Sequence, residues 1–287
     1  MNYERISPTI DVERMRQSRV VVIGGAYGLA KDLVRCGLGS VALIDFDYID
    51  ASNPARQDLN TIDIGRAKIE AVAAELKRIN PSVEIETYLT DFCALPSEQL
   101  KEMLGQADLV IDAADSFPCH ARVNLIATQL GTPAMWIGLY RAGRAGEIVY
   151  WVRGVTPACY RCICVDRYRA FHGGGAKISS AGGTILDLHL VDAIAGQIAA
   201  GILTRGADNR LGRIIEALGD RNLLQVKIDP DFHLNNRDVF RERLGEDPAN
   251  FSFTTIALPM APEPDCPDCR AVRALESEAV DIDEASQ

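Results

Sequence analysis

Four cysteines stand in two pairs, Cys159-Tyr-Arg-Cys162 and Cys266-Pro-Asp-Cys269. In a reducing compartment, paired C-x-x-C motifs have the spacing of a closed tetrathiolate zinc site. Protein would then fill all the positions on the metal, which makes it structural and not catalytic. The 103 residues between Cys162 and Cys266 make such a site a staple across a long loop. A pair of thiol–disulfide redox motifs is the alternative, and Cys164 is a spare thiol that could compete as a ligand.

A second group follows an apolar run. It reads Asp45-Phe-Asp-Tyr-Ile-Asp-Ala-Ser-Asn-Pro-Ala-Arg-Gln57, with Lys68 further on and an acid pair at Asp112 and Asp115. On one edge of a doubly wound sheet, strand ends converge on one crevice. That crevice would hold two cations (Arg56, Lys68), an amide (Asn53) and several carboxylates. A nucleoside triphosphate with magnesium calls for such a set, because cations neutralise phosphates and a carboxylate holds the metal. Taken singly, each cation also fits a solvated surface. Gly24 and Asp45, 21 residues apart, have the arrangement of a phosphate-binding turn followed by a ribose-binding acid. Alone that signal equally suits an NAD domain or a turn that needs small residues.

The elements that must position these residues alternate along the first half. Strands are expected at 19–23, 41–44, 83–88, 108–113 and 134–139, and helices at 26–36, 64–79, 97–104 and 120–130, with Ser97 as a cap. This predicts an α/β fold, a doubly wound Rossmann-like, mostly parallel sheet with helices on both faces. From Gly146 the pattern changes. A strand is expected at 147–152, a Gly-rich loop at 171–183, a helix at 184–204, and antiparallel strands at 223–228 and 251–258. The division is a nucleotide half over 1–140, a zinc-stapled half over 141–270 sharing the sheet, and an acidic tail over 271–287. The 229–250 stretch suggests a solvated surface excursion.

Composition narrows the class. The chain has 287 residues, 47% apolar and 24% charged, enough for a packed core. A net charge of −10 argues against a basic nucleic-acid-binding surface. Glu276, Glu278, Asp281, Asp283 and Glu284 put five acids in the final stretch without one base, as in a disordered tail. The most apolar segment, 185–203, holds Asp187, His189, Asp192 and Gln197, which argues against a membrane span. No basic-then-apolar leader opens the chain, so a cytoplasmic setting is expected.

From Tyr3 to Cys269 the sequence resembles the ThiF/MoeB/HesA family, relatives of ubiquitin-activating enzymes. The resemblance rests on Asp45 to Gln57, Lys68 ahead of Ile79-Asn80-Pro81, Asp112 to Asp115, and the paired C-x-x-C motifs. It implies adenylation of the C-terminal glycine of a ubiquitin-like or sulfur-carrier protein, with ATP and Mg2+ as cofactors and a structural Zn2+. The implied cofactor-binding set is Gly24, Gly25, Gly28, Asp45, Asp47, Asn53, Arg56, Gln57, Lys68 and Asp115. The implied catalytic set is Asp115, Arg56, Lys68 and Arg5. Tyr3-Glu4-Arg5 is similar to the family's N-terminal Tyr-x-Arg, whose arginine crosses a dimer, so a homodimer or pseudo-symmetric heterodimer is implied. Asn124 also matches.

The sequence departs from the family in four places, two of them single residues: Ser116 replaces the amide that commonly follows the acid, and His120 stands where the family often has arginine. Gly24-Gly-Ala-Tyr-Gly28-Leu-Ala-Lys31 replaces Gly-x-Gly-x-x-Gly, on a path to Asp45 about one helical turn shorter. A later helix start is therefore expected, with Lys31 near the phosphates. The 176–183 stretch lacks the family's usual catalytic cysteine. The competing readings are a degenerate partner subunit, peptide-carboxylate adenylation in natural-product synthesis, and a dehydrogenase. A carboxylate already ionised at neutral pH needs no general base, so His120, His172, His189 and His233 are expected in structural or surface roles. Cys36, Cys93 and Cys119 are expected as buried packing residues.

Overall fold

The computed structural model describes residues 1–174, 182–234, 237–246 and 253–273. The chain opens with α1 (Val12–Gln17), whose first amides are capped by the Asp11 carboxylate, accepting from Glu13 and Arg14 at 3.1 Å each. The nucleotide half continues as β1 (Arg19–Gly24), α2 (Tyr27–Arg35), β2 (Ser40–Ile44), α3 (Lys68–Ile79), β3 (Glu84–Tyr88), α4 (Ser97–Gly105), β4 (Leu109–Ala113), α5 (Phe117–Leu130) and β5 (Ala134–Leu139). Then follow β6 (Ala145–Trp151), α6 (Tyr160–Ile163), α7 (Val165–His172), α8 (Ile185–Leu203), α9 (Ile214–Leu218), β7 (Leu223–Lys227), α10 (Val239–Leu244) and β8 (Thr254–Leu258).

One sheet runs through the described residues in the order β3-β2-β1-β4-β5-β6-β7-β8. Pairing is parallel from β3 to β5 and antiparallel from β5 to β8. Strand order reverses between β1 and β4, which opens a crevice at their carboxyl ends.

Alternation assigns the two faces. Val20 and Val22 join α2, α3 and α8 in one apolar core; Val21 and Ile23 join α4, α5 and the cysteine segment in the other. Both sets are buried, as expected of a parallel strand covered on each side. Helix α8 is long and apolar enough to cross a membrane by length and composition. It packs against α2, β5 and β6 under a Thr184–Asp187 capping box.

Several helix boundaries differ from the sequence reading. Gly65, with φ +91°, turns the chain, so α3 starts at Lys68 and not at Ile64. Pro118 sits in the first turn of α5, a position that suits its missing amide hydrogen, and the helix starts at Phe117. Pro96, not Ser97, occupies the cap position of α4. Helix α10 lies within the expected surface excursion, and its Phe240 is buried. The acidic tail beyond 273 and the 175–181 stretch lie outside the described residues.

Candidate active site

The switch-point crevice is built from the ends of β1, β2 and β4. Gly24 ends β1 with φ +74°, and a Cβ there would lie 2.8 Å from Ala114 backbone atoms. Only glycine lets β1 and β4 close this tightly. Helix α2 begins at Tyr27, one residue later than read from sequence, and no side chain caps it. Its N-terminus therefore faces the crevice as a place for an anion.

At the end of β2, Asp45 accepts from the Tyr27 hydroxyl at 2.5 Å and from the Asp47 amide at 2.8 Å. Burial, and then Asp45, push the Tyr27 phenol well above its ordinary value, so it stays a donor. The Lys68 ammonium is buried and lies 2.7 Å from the Asp47 carboxylate. Asn53 is buried in the turn that leads to Arg56, its side-chain oxygen accepting from the Asp50 amide at 3.1 Å. Arg56 is half-buried with no acidic partner among the described residues. The Gln57 amide nitrogen lies 3.1 Å from where a Gly25 Cβ would be, and its buried oxygen has no hydrogen-bond partner among the described residues. Native interiors seldom leave such an atom unpaired. Asp115 is exposed just beyond β4, with no cation paired to it among the described residues.

Other expected residues sit elsewhere. Lys31 is buried and held by ion pairs to Asp58, at 3.2 Å from its carboxylate, and to Glu75. The Arg5 segment packs at the opposite edge: the Tyr3 ring is 3.6 Å from the Cβ position of Gly37, ahead of β2. Within its own chain Arg5 does not join the crevice. Gly28 belongs to α2's packing side, where its Cβ position lies 3.0 Å from Asp192 on α8. Asn124 is fully buried and serves the cysteine segment instead. It donates to Asp268 at 2.7 Å and accepts from the Tyr160 amide at 3.0 Å.

The sulfurs of Cys159, Cys162, Cys266 and Cys269 all lie within 4.8 Å of one another. Cys159–Cys162, Cys159–Cys266 and Cys162–Cys269 are 3.8, 3.7 and 3.6 Å apart. With zinc–sulfur bonds of about 2.3 Å, a tetrahedron has an edge of about 3.8 Å, so the set fits zinc. Cys164 is not in the group; burial, then Glu147, push its thiol up to about 12, against its expected role as a spare ligand. Cys119 is buried, whereas Cys36 and Cys93 are only half-buried.

Spacing gave no sign of two polar clusters on the α5 side. Asp112 is fully buried; one oxygen accepts from the Ala114 amide at 3.0 Å and the other lies 2.8 Å from His120 Nδ1. Burial opposes the imidazolium, yet Asp112 outweighs it and raises the His120 pKa. On β6, Glu147 pairs with Arg167 at 2.7 Å and accepts from Tyr140 at 2.6 Å and Gln225 at 3.1 Å. Burial would raise its pKa, but these partners lower it.

Comparison with known proteins is consistent with this architecture. A solved structure of E. coli MccB with AMPCPP and MccA aligns at a TM-score of 0.65 and 18% identity, over 90% of this chain and 68% of that one. A sulfur carrier protein adenylyltransferase of Thermus thermophilus is 35% identical over 159 residues, 53% of this chain and 57% of that protein. The sulfur carrier protein ThiS adenylyltransferase of Bacillus subtilis is 36% identical over 176 residues, 59% and 49% respectively. The chain spans about half the length of these curated relatives. The ThiF family model matches residues 2–204, and with that span of the sheet, crevice and α8 the chain belongs to the ThiF family.

Proposed function

We propose that the protein adenylates the C-terminal carboxylate of a ubiquitin-like or sulfur-carrier protein, with ATP and release of pyrophosphate. The observation that carries this reading is the unsatisfied polar set at the switch point: Gln57 with a buried unpaired oxygen, Arg56 without an acid, and Asp115 without a cation. A magnesium nucleotide completes them group by group: its phosphates for Arg56, a hydroxyl or amino donor for the Gln57 oxygen, and its metal ion for Asp115. The relatives' names point to the same chemistry.

In this reading, Gly24, Gly25 and the start of α2 receive phosphate. Gly28 belongs to the same turn, and Asp45 with Asp47 faces the ribose end. Asn53 shapes the turn that carries Arg56 and Gln57. Arg56 and Lys68 neutralise the phosphates, Lys68 held ready by Asp47. Asp115 is the free carboxylate for Mg2+, which when bound screens phosphate charge. The acceptor carboxylate attacks the α-phosphorus, forms an acyl–phosphate bond and expels pyrophosphate. It is already ionised and needs no base. Screening of like charges in the crevice is the catalytic contribution. Arg5, whose segment packs at the opposite sheet edge, is assigned to the partner's crevice across a dimer. Residues 1–140 bind the nucleotide and 141–270 the acceptor, with the thiols holding a structural zinc in a reducing, cytoplasmic setting. The 175–181 stretch is outside the described residues, and Cys164, held as a thiol, is no substitute for a catalytic cysteine.

Calorimetric titration with Mg-ATP, with NAD as the control, tests the reading. Saturable Mg-ATP binding that weakens in Arg56→Ala supports it. Binding of NAD alone refutes it.

A further inference from the structure

A hollow lies on the α5 side of the sheet at the carboxyl end of β5. Its floor is Gly138, exposed on a central strand, with nothing within 4 Å of the point where a side chain would begin. Gly138 shares its face with Trp136, which pairs in register with Asp112 on β4, and it pairs in register with Glu147 on β6. One side of the hollow is therefore the Asp112–His120 pair, and the other is the Glu147–Arg167 pair.

The His120 ring is held firmly. Nδ1 lies 2.8 Å from Asp112, the Tyr160 ring is 5.6 Å away, and Trp136 Nε1 donates to the His120 carbonyl at 3.3 Å. No group among the described residues pairs with Nε2, and the side chain keeps 17% of its surface in solvent. The structure thus fixes one nitrogen on a buried carboxylate and leaves the other toward the opening.

Resting on the adenylation reading, we propose that protonated His120 binds the acceptor's C-terminal carboxylate through Nε2, with Asp112 as the residue that positions the ring and holds its charge. Helix α2 packs on the other face of the sheet, but the hollow and the crevice share the carboxyl edge of the parallel strands, so the hollow flanks the triphosphate and can present the acceptor carboxylate to it.

Charge balance makes the proton decisive. Among the described residues, Asp112 on β4, Glu147 on β6 and Arg167 on α7 are the charged groups acting on His120, with Tyr160 on α6 and Cys119 on α5 neutral beside it. With the imidazolium present, each acid has a cation. Without it, Asp112 stands unbalanced and repels an incoming carboxylate. Asp112 favours the protonated form, so acceptor binding is strong below the His120 pKa and weakens as pH rises through it.

The test is NMR titration of 13C-labelled histidines in the whole protein, His120 being assigned by loss of its signal in His120→Gln. The series are the protein alone, with an ATP analogue and Mg2+, and with an added peptide ending in Gly-Gly. The peptide should raise the His120 pKa by about one unit or more. Its affinity should fall about tenfold or more in His120→Gln, with loss of pH dependence. Bound peptide without a pKa change overturns the inference while leaving adenylation intact. A change produced by the analogue alone assigns His120 to phosphate and overturns it as well. Failure to bind the analogue at all overturns adenylation and the inference together.

Discussion

Asp192→Asn should stabilise the protein at alkaline pH and not near pH 4. Asp192 sits on α8 against the first turn of α2, 3% exposed, with neither oxygen in a well-formed hydrogen bond. Burial, and then Asp32 and Asp58, push its pKa from 3.8 to about 7, the Leu29 amide working the other way. The folded state therefore binds this proton more tightly than the unfolded chain. Stability is complete below the unfolded value and declines as pH climbs from there to about 7. At about 1.4 kcal/mol per unit, the full shift corresponds to about 4 kcal/mol. Asparagine keeps the shape and carries no charge. Guanidinium unfolding of both proteins at about pH 4, 6 and 8 should show a gap that opens with pH to about 2–4 kcal/mol, with equal m-values. Parallel pH profiles, or a variant less stable at pH 8, would refute the reasoning.

Removing the metal by chelation, or Cys269→Ser, releases a staple over 103 residues, worth about 4–5 kcal/mol in cross-link entropy. Calorimetry should show Tm falling by about 10–20 °C, and an unchanged Tm would contradict the zinc assignment. Asn124→Ala leaves one Asp268 oxygen and the Tyr160 amide without a partner, Arg161 still holding the other oxygen, and should cost about 2–4 kcal/mol in denaturant titrations together with weaker zinc retention. A zinc content and midpoint equal to wild type would remove Asn124 from the staple. Gly24→Ala forces a side chain into φ +74° against Ala114, at about 1–3 kcal/mol for the backbone alone. It should also weaken Mg-ATP binding by calorimetry, and normal stability and affinity would contradict the tight β1–β4 junction.

The parallel half of the sheet was legible because its strands are short apolar runs broken by glycine and closed by acids. Val20 to Ile23 and Leu109 to Ile111 need no context to be read. The paired C-x-x-C spacing likewise carried the cysteine cluster across a long loop. Boundaries were less legible where one residue decides them: the φ +91° at Gly65 delays α3, and Pro118 advances α5. The six-residue α1 and α10 are too short for periodicity, and each is announced only by an aspartate cap, Asp11 and Asp238. The site split in the same way. Residues on the β2 loop were found as a motif. The Asp112–His120 pair, the Glu147 network and buried Asp192 depend on side chains meeting from separate elements, which no spacing encodes. Lys31 shows the converse: its sequence neighbours place it near phosphate, but Asp58 and Glu75 capture it from elsewhere in the fold.

Acceptor-dependent ATP–pyrophosphate exchange tests adenylation most directly. Protein supplied with Mg-ATP and an acceptor ending in glycine should incorporate labelled pyrophosphate into ATP. Asp115→Ala should lower that rate by about 100-fold or more with an unchanged Tm, since Asp115 is exposed and bears no packing load. Near-normal exchange in Asp115→Ala would contradict the site assignment. Absence of exchange in the wild type with every glycine-ended acceptor, despite bound Mg-ATP, would contradict adenylation itself.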